Sequence, residues 1–175
     1  MARARNLTPR GPRTATIHLS LLLIVGAAGA ADAQNRSPRG APRVQPEARA
    51  DYIDARGATA HLGVGVSVPA GTYVRLGVVG AAGQAWRDGD AVAAGRVDAV
   101  ARFVVDPLRE FRWSPYAAGG LGGMYDQIER WRAVLIGTLG VEGPAMGAVV
   151  PAIEVGFGGG TRVGVVFRRT MPGRR

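Results

Sequence analysis

Three small groups of residues have the types that catalysis uses, and spacing alone weighs each of them. His61 and Ser67 supply a base and a hydroxyl within one segment, two parts of a Ser–His–acid hydrolase. Six residues of extended strand separate them by about 20 Å, far outside hydrogen-bond reach, so His61 is expected to be a polar packing residue. Glu142 and Glu154 sit on neighbouring segments. General acid–base work needs two carboxylates flanking a substrate-sized cleft; a filled small barrel has no such cleft, and these two are expected to pair with arginine. Gly156–Gly160 (GFGGG) has the composition of a phosphate loop, but no helix follows it to present its N-terminus to an anion, and a hairpin turn is the simpler account.

Composition removes further chemistries. All 22 basic residues are arginine, and there is neither lysine nor cysteine. A P-loop lysine, a Schiff base, a Ser–Lys dyad, a thiolate nucleophile, a disulfide and a Cys-based zinc site are therefore excluded. One histidine beyond residue 33, with scattered acids, gives no metal-ligand spacing. The formal charge of +9 comes from arginines near the two ends and singly among acids, with no basic patch interleaved with aromatics. Nucleic acid is not an expected partner. No catalytic residue, metal or cofactor is expected, and the chain is not expected to be an enzyme.

The remaining charges have an ordered spacing. In Gly95–Val105 (GRVDAVARFVV), Arg96, Asp98 and Arg102 alternate with Val97, Ala99, Ala101, Phe103 and Val105. A strand sends successive side chains to opposite faces, so this segment has one charged and one apolar face. A helix would place Arg96 nearly opposite Asp98 and Arg102, among apolar neighbours. The same alternation recurs with Arg75, with Arg132 and Glu142, with Glu154, and with Arg162. These eight residues (Arg75, Arg96, Asp98, Arg102, Arg132, Glu142, Glu154 and Arg162) are expected to form a structural charge network in the centre of a barrel. On this face Val134 and Ile136 break the alternation.

The elements that must position the network can be read in chain order. Residues 1–33 have the pattern of a cleaved secretory signal: Arg3, Arg5, Arg10 and Arg13, the apolar run Ile17–Ala28, then Ala31-Asp32-Ala33. Residues 34–55 are expected to be a disordered or extended lead-in rich in Pro and Arg, with a short first strand near 51–56. Seven strands follow from Ala58, separated by turns at Pro69–Gly71, Arg87–Asp90, Asp106–Ser114, Asp126–Arg130, Gly143–Gly147 and Gly158–Gly160. A meander with no covering helix must close on itself or stack. The expectation is an all-β, antiparallel up-and-down barrel of eight strands over residues 56–169, with a basic tail at 170–175.

Alternation alone leaves two ways to turn such a sheet. A soluble lipocalin-like barrel, binding a small apolar ligand in the periplasm, puts the apolar face inside; a membrane barrel puts it outside. Three features favour the second. The polar face is small, holding Thr59, Ser67 and many of the 27 glycines. Its charges are of both signs and able to neutralise one another. The large aromatics fall at strand ends, with Trp86, Tyr125 and Trp131 at one level and Tyr73, Trp113 and Tyr116 at the other, where membrane barrels carry aromatic girdles.

With its leader, PYAAGGLGG, WRAVLIGTLGVE and PAIEVGFGGGTRVGVVFRR, the chain resembles small bacterial outer-membrane β-barrel proteins of the OmpA/OmpX type over roughly Ala58–Arg169. Such proteins commonly finish on an aromatic residue, a place Phe167 would take, with RRTMPGRR following it. The resemblance implies an eight-stranded barrel in the outer membrane of a Gram-negative bacterium, a porin-like shell; with the charges paired inside it, a structural or interaction role and a filled lumen rather than an open pore are expected. The expected partners are outer-membrane lipid and, for an interaction role, cell-wall or envelope proteins, with the chain itself monomeric.

Overall fold

The computed structural model describes residues 44–87 and 89–169. The signal segment at 1–33, most of the lead-in and the basic tail at 170–175 lie outside the described residues. Eight strands run in order: β1 (Gln45–Asp54), β2 (Ala58–Pro69), β3 (Val74–Arg87), β4 (Asp90–Val104), β5 (Ser114–Asp126), β6 (Arg130–Glu142), β7 (Val149–Gly158) and β8 (Thr161–Arg169). Each pairs antiparallel with the next, and β1 pairs with β8 to close the barrel. Closure gives every strand a paired neighbour on both sides, which an open meander could not do for its first and last strands.

β1 departs from expectation. The lead-in becomes strand at Gln45, six residues before the segment thought able to hold one, and pairs along its whole length with β2, from Gln45↔Ser67 to Asp54↔Ala58. Its burial alternates without a break: Gln45, Glu47, Arg49, Asp51 and Ile53 point in, while Pro46, Ala48, Ala50, Tyr52 and Asp54 point out. The outward face holds mostly Ala and Pro, so the alternation is one of polarity against smallness rather than against strong hydrophobicity.

The direction of the other strands decides the architecture. Leu62, Val97, Leu135 and Val165 are 52%, 51%, 69% and 39% exposed, whereas Arg96 and Glu154 are 3% and 2% exposed. Apolar residues therefore face out and charges face in. On β6 the irregular Ile136 is buried and faces inward, as Val79 and Met124 do on β3 and β5, so the break in alternation places an apolar side chain in the lumen. An apolar cluster of Val104, Tyr116, Ala152 and Val166 lies toward the end where β1 begins and β8 ends, the termini end of the barrel.

The two ends of the barrel are unlike. At the end opposite the termini the connections are tight: three residues between β5 and β6 and two between β7 and β8. At the termini end the connections are longer, nine residues between Val104 and Ser114 and six between Glu142 and Val149.

Candidate functional site: the luminal charge network

β1 carries the centre of the site. Asp51 sits where three guanidinium groups converge: Arg49 Nε donates to it at 2.9 Å, Arg96 Nη2 at 2.7 Å and Arg162 Nε at 3.1 Å. β1 and β4 are three strands apart, so the Arg96 bond spans the lumen rather than joining neighbours. Asp98 faces the same group, with Arg96 Nε at 3.0 Å and Arg162 Nη1 at 3.3 Å.

A second knot lies closer to the termini. Arg168 is fully buried and its guanidinium is divided among three carboxylates: Nε to Glu47 (3.1 Å), Nη1 to Glu142 (2.9 Å) and Nη2 to Glu154 (2.9 Å). The Tyr116 hydroxyl donates to Glu154 at 2.7 Å and accepts from Arg168 at 3.0 Å. The Arg168 cation also lies over the Tyr116 ring, 4.8 Å from its centroid, with Arg102 at 5.4 Å. Arg102 Nη2 reaches Glu47 at 3.1 Å. Arg49 joins the knots, because it donates to Glu154 as well as to Asp51.

Burying one such charge alone would cost several kcal/mol, and a pair offsets that cost only with good geometry and saturated hydrogen bonding. The guanidinium fork, with five donors in a plane, can meet two or three carboxylates at once. That is the use to which an all-arginine chain is suited. Small residues on the same face leave the room: a Cβ at Gly164 would meet the Asp51 carboxylate, one at Gly122 that of Asp98, and one at Gly140 the Tyr116 ring.

Seven of the eight expected residues lie in or at the edge of this network. Arg96, Asp98, Arg102, Glu142, Glu154 and Arg162 are buried in it. Arg75 stands at the termini-end mouth, 3.7 Å from Glu142 and 3.4 Å from Gln45. Arg132 does not join it: it faces in at the opposite mouth, half-buried, and pairs with Glu129 of the adjoining turn, because its place near the start of β6 puts it level with that turn. Sequence reasoning missed Glu47, Arg49 and Asp51, whose alternation was the available signal, and left Arg168 out of the site although it lies on the polar face of β8.

The aromatic assignment needs one correction. Tyr73, Trp86, Trp113 and Trp131 face out at strand ends, and Tyr125 is half-buried against Trp131 with ring centroids 5.6 Å apart. Tyr116 is 2% exposed and points into the lumen. Its parity along β5 matches Ser114 and Met124, both inward, and its hydroxyl finds a carboxylate there. His61 is buried opposite Asp51 in the β1–β2 register, with no hydrogen-bond partner on either ring nitrogen. Ser67 lies six residues along, opposite Gln45, so the two form no catalytic pair. Among the described residues no group of His, Asp or Glu has the arrangement of a metal site.

No protein-family model matches the chain, and no curated protein matches it.

Proposed function

We propose that this chain is an outer-membrane β-barrel protein of structural or interaction role, its lumen filled by the arginine–carboxylate network rather than open as a pore. The observation that carries the reading is the inverted distribution of polarity, with apolar side chains outside and ion pairs within. Dimensions agree with it. On β6 the outward residues from Trp131 to Val141 cover ten residue steps, about 33 Å along the strand; at a tilt near 40° this is a band about 25 Å tall, the usual height for a membrane barrel. The exposed Trp131 and Trp86 stand at one edge of that band and Tyr73 and Trp113 at the other. A lipocalin-like cup would need an apolar interior, and here the interior is where the charges are.

The network sets the mechanical character of the barrel. Bonds from β1 to β4 and β7, and from β8 to β6, tie walls across the lumen. Such a cross-braced interior suits a rigid anchor that presents its loops, and the reading expects no steady conductance in planar bilayers. The test is extraction and migration of the full-length protein: it should resist carbonate or urea washing of envelopes, need detergent for release, and run at different apparent sizes in SDS with and without boiling. Release by an aqueous wash, with one position on the gel, would remove the reading.

A further inference from the structure

The β4–β5 connection is the largest loop at the termini end, and of its residues only Arg109 reaches toward the luminal network. The loop is nevertheless held in one form. The Asp106 carboxylate accepts the backbone N–H groups of Glu110 (3.1 Å) and Phe111 (2.9 Å), and Ser114 Oγ donates to the Asp106 carbonyl (3.2 Å). These backbone donors, Phe111 first, hold the Asp106 carboxyl below its ordinary range. Arg109 takes a left-handed φ of 58°, uncommon for a non-glycine residue, and its Nη2 donates to the Gly143 carbonyl at 2.8 Å.

Between this loop and the β2–β3 turn lies an open pocket of about 620 Å³. Tyr73, Val105, Phe111, Trp113 and Pro115 form its apolar walls, and the pocket also has one free charge of each sign, Arg112 and Glu110. Asp106 lines it too, but its carboxylate is already committed to the backbone. Tyr73, Val105 and Trp113 are at the same time exposed members of the outward apolar surface, and Tyr73 stacks on outward Phe103 with centroids 5.8 Å apart. The pocket is thus continuous with the face assigned to lipid, at the level where acyl chains give way to headgroups.

We infer that this pocket binds one zwitterionic glycerophospholipid with a primary-ammonium headgroup, its phosphate at Arg112, its ammonium at Glu110 and an acyl chain along the aromatic walls. The inference rests on the membrane reading above and sharpens it to a lipid class. Charge complementarity selects the class. A purely anionic headgroup satisfies Arg112 and meets Glu110 with like charge. A quaternary ammonium carries no N–H to donate to Glu110. Free phosphate has no chain for the walls. Arg and Glu beside exposed Trp and Tyr suit the interfacial zone, where amphipathic rings sit.

Native mass spectrometry of the refolded full-length protein in a non-ionic detergent tests this. Phosphatidylethanolamine, phosphatidylcholine and phosphatidylglycerol of one acyl composition are titrated separately, with inorganic phosphate as a further arm. One phosphatidylethanolamine per chain should bind about tenfold tighter than either other lipid, the worth of one hydrogen bond to a charged group, and phosphate should not bind. R112Q should weaken all phospholipids, while E110Q should abolish the preference for phosphatidylethanolamine over phosphatidylglycerol and reduce that over phosphatidylcholine. Both substitutions are at exposed loop positions, and heat-modifiable migration checks that each barrel is intact. Equal affinity for the three lipids, a preference for phosphatidylglycerol, or binding of phosphate alone, in protein that still migrates as a folded barrel, would overturn the lipid site and leave the membrane reading standing. Protein that never enters detergent or vesicles and lacks two gel positions would overturn both.

Discussion

Replacing Asp51 with alanine should be among the most costly single changes in this barrel. Its carboxylate is shared by Arg49, Arg96 and Arg162 at 2.7–3.1 Å, and the residue is 4% exposed. None of the three arginines becomes wholly unpaired: Arg49 keeps Glu154, and Arg96 and Arg162 keep Asp98. The loss is therefore that of one partner in a buried cluster, about 3–5 kcal/mol, rather than three times that. In the unfolding constant this is roughly 10²–10⁴-fold. Asp51→Asn, which keeps an acceptor but no charge, should lie between the alanine variant and the unaltered protein. Glu129→Ala provides the control, because its partner Arg132 is partly exposed at a mouth of the barrel and such pairs contribute about 0–1 kcal/mol. Urea titration of the refolded barrel in vesicles, read from the fraction at the folded gel position, measures all three. A change below about 0.5 kcal/mol for Asp51→Ala, or equal changes for Asp51→Ala and Glu129→Ala, would refute the claim that β1 carries the centre of the network.

Three further expectations follow from the same geometry. Leu135→Arg puts a charge near the middle of the outward face of β6, where it should cost about 2–4 kcal/mol in a bilayer and cut the yield of folded protein in vesicles; normal yield would count against lipid contact. Gly140→Val should displace the Tyr116 ring from Glu154 and lower the melting temperature, whereas Gly80→Val, on the outward face with open space around it, should change it little; equal melting of both would mean that the Tyr116 contact adds nothing. The Asp106 carboxyl is depressed in the fold, so its hold on the loop is present above the ordinary value of 3.8 and is lost as pH falls through the lower folded value. Trp113 emission should be constant down to that ordinary value and change below it, and the acid change should be absent in Asp106→Asn.

Strong alternation made most of the barrel readable. In β3, β4, β7 and β8 an arginine or acid alternates with Val, Leu, Ile or Phe, so face and register parity follow directly from residue type. Only the end of β1, near 51–56, is legible in the sequence, because the outward residues before it are Pro46, Ala48 and Ala50, too small to mark a buried or lipid-facing surface by hydrophobicity. The signal was in its polar face alone: Glu47, Arg49 and Asp51 at strict two-residue spacing. Arg168 is legible as a polar-face residue by its parity with Arg162, but its place at the strand's end, beside Arg169, gives no sign that it reaches three carboxylates. Tyr116 illustrates the limit of placing aromatics by level along a strand. Level says which end a ring occupies, and only parity says which side. Arg132 had the right parity and the wrong level, and so found a turn residue instead of the network.

The central claim is that the outward apolar face lies against acyl chains, and one labelled position tests it directly. The chain has no cysteine, so Leu135→Cys is a unique attachment site for an environment-sensitive fluorophore at mid-strand on β6. In vesicles containing lipids brominated along the acyl chain the label should be strongly quenched, and aqueous iodide should leave it bright. Quenching by iodide with no effect of the brominated lipids would place that face in water and contradict the account.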